Sequence, residues 1–303
     1  LSLSAVAAPT QVASSTNNAV IDFCAQPGSN CALPTTAQGI QQVARNIEEP
    51  VIVGGTQQAT MTVMRDINRV IQARRERNLG LSSGDGFYDD KYLWIRPFGS
   101  WGEQKERNGV AGYDSRTGGI MIGTDGLVGE KTRAGIALTY ARVDLDGNSS
   151  IQPQTADVDI WNLLGYGSYA IDDVTDLNFH AGIGKNRNKG QRTITGLTAG
   201  NNPVASANYD SQVATLGVGI GRTLTLSPQT RFIPSARADY VWIKDDGYTE
   251  GGTSPFNLRV DGQTASSLVL AVDGKIRHDI AKGLSLFANL GVGYDVINDQ
   301  ASV

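Results

Sequence analysis

The sequence predicts an all-β fold, a transmembrane antiparallel up-and-down β-barrel, on three observations. Nine stretches of alternating apolar and polar residues run from Lys91 to Asp295, the period of a strand with two unlike faces. The links between them alternate short and long. The short links are Gly129–Lys131, Asp172–Thr175, Ser227–Thr230 and Ala281–Gly283, and the long ones centre on Gly109–Asp114, Asp146–Gln154, Lys189–Ala207 and Asp245–Gly262. Barrels of the bacterial outer membrane have that rhythm of tight turns at one end and longer loops at the other. Composition agrees: only 18% of residues are charged and 36 of the 303 are glycine, while mean hydropathy is slightly negative. A sheet with one apolar and one polar, glycine-rich face averages to such values. No run of 18 apolar residues occurs, which excludes a membrane-crossing helix but not strands, which need about 9–11 residues each. Twenty-six basic and 30 acidic residues give a net charge of −4, too balanced for a nucleic-acid binder.

From the N-terminus, residues 1–55 are rich in Ala, Thr, Ser, Asn, Gln and Pro with weak periodicity, and read as a linker or the tail of a larger exported region. Leu1–Ala8 is apolar but carries no Lys or Arg, so it does not read as an intact signal peptide, and the chain is taken as a mature or excised fragment. Cys24 and Cys31 are the only cysteines; export favours a small disulfide loop between them, with two free thiols as the alternative. Zinc is disfavoured, because both His are far away in sequence.

Over residues 56–80 the period changes to that of a helix. Val63, Ile67 and Val70, with Met64 and Ile71 beside them, form an apolar stripe, and Arg65, Arg69, Arg74, Arg75 and Arg77 make the rest cationic. Thr56 is the expected N-cap after Gly54-Gly55, and Gly80 the expected end. Such a helix spans roughly 34 Å, about the height of an outer-membrane barrel. Leu81–Asp90 then leads into the strands of 81–303.

Parity assigns two faces to each strand. Leu177, Phe179, Ala181 and Ile183 oppose Asn178, His180, Gly182 and Gly184; Leu268, Leu270, Val272 and Ile276 oppose Ser267, Asp273, Lys275 and Arg277. The polar faces mix glycine with charges and would make a poor dry core. A soluble sheet with a solvated polar face also satisfies parity. The aromatic residues Tyr140, Tyr240, Trp242 and Tyr294, ending the apolar faces, fit the interfacial girdle of a membrane barrel instead. On this reading Asp125, Asp157, Asp159, Asp239, Asp273 and Arg237 line a lumen, where the cationic helix finds charge partners and the glycines let it approach.

The segment Tyr92-Leu-Trp-Ile-Arg-Pro-Phe-Gly-Ser-Trp-Gly102, following a helix and a polar linker, resembles the first strand of the autotransporter β-domain family. Gly165-Tyr-Gly-Ser-Tyr169, Arg237-Ala-Asp-Tyr240 and Leu290-Gly-Val-Gly-Tyr-Asp295 follow in the family's order, so the resemblance covers about residues 56–303. It implies a twelve-stranded barrel with the helix threaded through its pore as a plug, of which nine strands are visible here. It also implies export of an N-terminal passenger across the outer membrane, assembly by periplasmic chaperones and the barrel-assembly machinery, contact with outer-membrane lipid, and a monomer. No cofactor, metal or nucleic acid is implied. Family members continue for three more strands to an aromatic end, whereas this chain stops at Ala301-Ser302-Val303.

No sequence motif of a hydrolase, a phosphate-binding loop or a metal centre is present. Gly217-x-Gly219-x-Gly221 reads as a lumen-facing stripe and His180 as a structural residue. Some family members cleave their passenger inside the pore by cyclisation of a helix asparagine. Asp66-Ile67-Asn68-Arg69 is similar to the Glu-Val-Asn-Asn segment of those members, placing the scissile bond after Asn68, with Asp157 and Asp159 as the acids. In the plainer reading Asn68 is a polar helix residue bonded to the wall. A pore without a passenger and a soluble β-rich binding protein are the remaining alternatives.

Overall fold

The computed structural model describes residues 14–26, 29, 31–32, 43, 53–78, 88–89, 93–105, 112–148, 153–196, 198, 202–254, 256–281 and 284–299. Gly80, most of the Leu81–Asp90 linker and the Arg77 side chain lie outside them. Among the described residues two helices, α1 (Ser14–Ala25) and α2 (Val53–Asn78), precede nine long strands: β1 (Leu93–Gln104), β2 (Tyr113–Leu127), β3 (Thr132–Gly147), β4 (Gln154–Ala170), β5 (Thr175–Thr193), β6 (Val204–Arg222), β7 (Thr230–Asp245), β8 (Gln263–Ala281) and β9 (Leu284–Asp299).

Each long strand pairs antiparallel with the next in an uninterrupted meander, so the chain forms an open antiparallel half-barrel. Tyr88–Asp89 extends the β1 edge, and the short strand Leu224–Ser227 pairs with β7 near its first turn. Period-2 patterning puts Ile183, Leu216, Val272, Leu290 and Tyr294 on the convex side, with Leu290 84% and Tyr294 75% exposed. On β1–β4 and β7 residues of the opposite parity are buried towards α2. The main core holds Val63, Met64, Ile67 and Ile71 of α2 with Trp94, Met121, Ala141, Val143, Val158, Ile160 and Ile243 of the wall.

α2 lies against β1, β2, β3, β4 and β7. Its direction is fixed by its two ends: Thr56 meets Tyr209 on the long-loop half of β6, and Arg74 meets Asp125 two residues before the short turn after β2. None of the described helices is long and apolar enough to cross a membrane.

Three expectations change. α2 begins at Val53, so Thr56 is not its N-cap. Thr56 lies inside the first turns, buried, with its hydroxyl 2.9 Å from that of Tyr209. The segment read as a linker contains α1, whose Val20, Phe23 and Cys24 pack into an apolar cluster, and Cys24 and Cys31 are joined in a disulfide with Cα atoms 5.1 Å apart. The inward glycines serve the wall rather than the helix. A Cβ on Gly119 would strike Phe98, one on Gly123 Trp94, one on Gly217 His180 and one on Gly291 Asp273, each directly opposite on the next strand. Side chains lie flat across these glycines, as aromatic residues do when they cover glycine in a sheet.

Candidate functional site

The concave face grips α2 at three levels. At the short-turn end the Asp125 carboxylate accepts from Arg74 Nε at 2.7 Å, Trp94 Nε1 at 3.1 Å and Tyr166 Oη at 2.8 Å, and from Arg133 Nε. These donors come from α2, β1, β4 and β3. Register explains how they converge. Asp125 faces Gly135, which faces Tyr166, and the missing Cβ of Gly135 lets the phenol reach across a whole strand. Gly123 likewise leaves room for the Trp94 indole. The Arg74 and Asp125 side chains are 3% and 0% exposed, so the pair is held away from water and its charges need partners within the protein.

At mid-height, Ser100 donates to Asp66 at 2.8 Å and Asn162 Nδ2 lies 3.8 Å from the Met64 sulfur. Towards the long-loop end Asn186 donates to Thr60 at 2.9 Å, and Thr60 in turn to the Thr56 carbonyl. On the far side of the helix Arg237 Nη1 donates to Gln72 at 2.8 Å and Arg65 lies 3.9 Å from Asp295. Arg69 pairs within the helix with Asp66 and is otherwise exposed.

Between α2 and that far wall lies a cavity of about 90 Å³, lined among others by Asn68, Gln72, Arg75, His180, Asp239 and Asp273. It has room for several waters. Asn68 Oδ1, Asn178 Oδ1, His180 Nε2, Arg237 Nε and Asp273 Oδ2 are buried there without a hydrogen-bond partner. Arg237 lies 3.4 Å from Asp239 and 3.8 Å from Asp273. The described residues contain no grouping that would hold a metal ion.

Asp157 and Asp159 do not line the lumen. Both share the outward side of β4 with Trp161 and Leu163, while Ala156, Val158 and Ile160 point inward. Asp157 pairs with Arg142 at 3.2 Å, with both side chains about half exposed, and Asp159 accepts from Tyr140 at 2.9 Å. Neither can serve Asn68 across the wall. Tyr140 faces outward with its ring against Trp161, 4.6 Å between centroids; Tyr240, Trp242 and Tyr294 also face outward. Trp94, Arg133, Tyr166 and Ser100 are wall residues that sequence reasoning missed. The available signal was the inward parity of Trp94 and Tyr166, two aromatics with a polar tip on a polar face.

The autotransporter beta-domain family matches residues 93–303. Outer membrane protein A of Rickettsia rickettsii is 31% identical over 209 residues, covering 66% of this chain and 9% of that protein. An extracellular serine protease of Serratia marcescens is 24% identical over 81% of this chain and 23% of its own length. This chain therefore spans only a minor part of these relatives. Among solved structures, the translocator domain of the autotransporter NalP from Neisseria meningitidis is similar with a TM-score of 0.62 at 19% identity, covering 79% of each chain.

Proposed function

Because the chain belongs to the autotransporter β-domain family, we propose that it is the outer-membrane translocator of a longer protein, with residues 56–80 as a pore-spanning plug. It resides in the bacterial outer membrane, short turns towards the periplasm and long loops outside. Residues 1–55 are then the tail of a passenger that leaves through the barrel. The barrel-assembly machinery and periplasmic chaperones insert it, and lipid covers its convex face.

The observation that carries the plug is the charged and hydrogen-bonded seat of α2 along the concave wall, from Thr56 on Tyr209 to Arg74 on Asp125. A cationic helix with a narrow apolar stripe gains little by itself in water; here Arg65, Arg69 and Arg74 have carboxylate partners and the stripe packs on the wall. The test is an epitope placed ahead of Leu1 in the complete protein. Antibody labelling of intact cells is expected, and an epitope that stays in the periplasm refutes the translocator role. Deleting residues 53–78 should raise single-channel conductance in planar bilayers. Unchanged conductance removes the plug.

Self-cleavage is the second reading, favoured by the unpartnered Asn68 Oδ1 in a cavity shared with Asp239 and Asp273. The Asn68 amide nitrogen would attack its own backbone carbonyl and release the Arg69 amine, with Asp239 or Asp273 rather than Asp157 or Asp159 moving the proton. Mass spectrometry of the folded protein decides it: a bond between Asn68 and Arg69 that stays intact ends the idea.

A further inference from the structure

The long-loop end of the half-barrel carries a folded structure of its own. Ile194, one residue beyond β5, continues the inward parity of Asn188 and Arg192 and is fully buried. It packs with Phe256 of the loop between β7 and β8, with Val43, and with Val20, Phe23 and Cys24 of α1. The Phe23 and Phe256 rings meet edge to face, 5.3 Å between centroids. Beneath them the buried Arg192 guanidinium holds both Glu250 oxygens, at 2.9 and 2.6 Å, and donates to the Phe256 carbonyl at 3.1 Å. That bidentate pair draws the loop over the lumen side of β5, because Arg192 points inward. Tyr248 of the same loop stacks on Tyr209 at 4.7 Å, and Tyr209 meets Thr56 of α2. The loop thus runs from the start of α2 to the underside of α1. Cys31, closed into a ring with Cys24, makes an antiparallel bridge to Thr198 in the loop after β5.

We propose that α1 (Ser14–Ala25), together with Cys31, is a cap that docks on the Ile194 and Phe256 loops, has its two docking points, α1 and the Cys31 bridge to Thr198, tied together by the Cys24–Cys31 disulfide, and closes the outward mouth of the lumen above α2. The inference rests on the translocator reading, in which these residues reach the mouth by passing through the barrel. Closing the ring removes two electrons and two protons from the two thiols. A disulfide-containing oxidant takes them up by thiol–disulfide exchange and is itself reduced to two thiols. An eight-residue span closed by this bond (Cys24 to Cys31, sequence separation 7) leaves the unfastened chain fewer conformations to escape into. The apolar cluster supplies the docking contact.

The test uses the complete protein in outer membranes, oxidised and after treatment with a phosphine reductant, together with Cys24→Ser and, keeping the disulfide, Phe256→Ser. Protease added from outside is expected to cut within residues 14–32 about tenfold faster in the reduced protein and in both variants, because cleavage follows the open population. Planar-bilayer conductance of the purified protein should rise in the same three states, while its heat-dependent gel mobility shift stays unchanged. Equal cleavage and equal conductance in the oxidised, reduced and Phe256→Ser proteins overturn the cap. If Cys24→Ser does not accumulate, the reduced wild type and Phe256→Ser carry the test. Surface display of the epitope, scored on the same cells, reports separately on the translocator reading.

Discussion

Asp125 joins more elements than any other side chain described above: its carboxylate meets donors from α2, β1, β3 and β4. Replacing it by asparagine keeps the shape but removes the buried charge that Arg74 and Arg133 both pair with. A buried pair broken on one side costs about 3–5 kcal/mol. Asp125→Asn is therefore expected to lower unfolding stability in detergent by that amount, read from denaturant titration of intrinsic fluorescence. Asp157→Asn, at a half-exposed pair with Arg142, should cost less than about 1 kcal/mol. Gly135→Ala probes the same knot from the backbone side. Its Cβ would sit 2.7 Å from Tyr166 Cζ and 2.5 Å from the Thr124 carbonyl oxygen. A cost of about 1–3 kcal/mol is expected from overpacking. Because the displaced Tyr166 is one of Asp125's donors, the double variant should lose less than the sum of the two. Strict additivity in that cycle would show that Gly135 is not there to admit the phenol.

At the scale of elements, α2 is fastened unevenly. Its apolar stripe is buried against β1–β4 and β7, whereas the side bearing Asn68, Gln72 and Arg75 looks into the cavity, whose wall is drawn from β5 to β9. Ile67 is fully buried in the core cluster, as are Val63, Met64 and Ile71. Ile67→Ala is expected to cost about 2–4 kcal/mol in unfolding stability, as core truncations do. Arg237→Ala, which removes the hydrogen bond to Gln72 and two long ion pairs, to Asp239 and Asp273, from a partly exposed side chain, should cost about 1 kcal/mol. Comparable losses from both would contradict an asymmetric seat. The same asymmetry explains what the sequence could and could not reveal. The meander was legible because a period of two on nine stretches leaves little else for the chain to be. The assignment of Asp157 and Asp159 failed because it equated polar with inward along the whole of β4. Where the apolar stripe of α2 meets the wall, the inward residues are Ala156, Val158 and Ile160. There the charges of β3 and β4 turn outward as Arg142, Asp144, Asp157 and Asp159. Parity survives that inversion and polarity does not. α1 was illegible for another reason: it is stabilised by Ile194 and Phe256, residues more than 160 positions away, and its own pattern is weak.

At the scale of the molecule, the inversion marks where lipid should end. On β5 the outward side is apolar through Leu177, Phe179, Ala181 and Ile183, then cationic through Lys185, Arg187 and Lys189. β5 and β6 have 19 residues each, about twice the 9–11 that a tilted strand needs to cross, so their long-loop halves project beyond the membrane. Trp161 lies directly opposite Lys185 at that boundary, and Trp242 faces outward on β7. Trp94, by contrast, is 2% exposed and clasped to Asp125 inside. Interfacial tryptophans anchor at headgroup level, whereas an inward one never meets lipid. Variants retaining Trp94, Trp161 or Trp242 as their one tryptophan, reconstituted with lipids brominated at different depths, would separate these positions. Strong quenching is expected for Trp161 and Trp242, greatest with bromine near the headgroups, and little for Trp94 at any depth. Quenching of Trp94 equal to that of Trp161 would turn the sheet inside out. Absence of quenching at all three would take lipid away from the convex face, and with it the reason for Leu290 and Tyr294 to stand there uncovered.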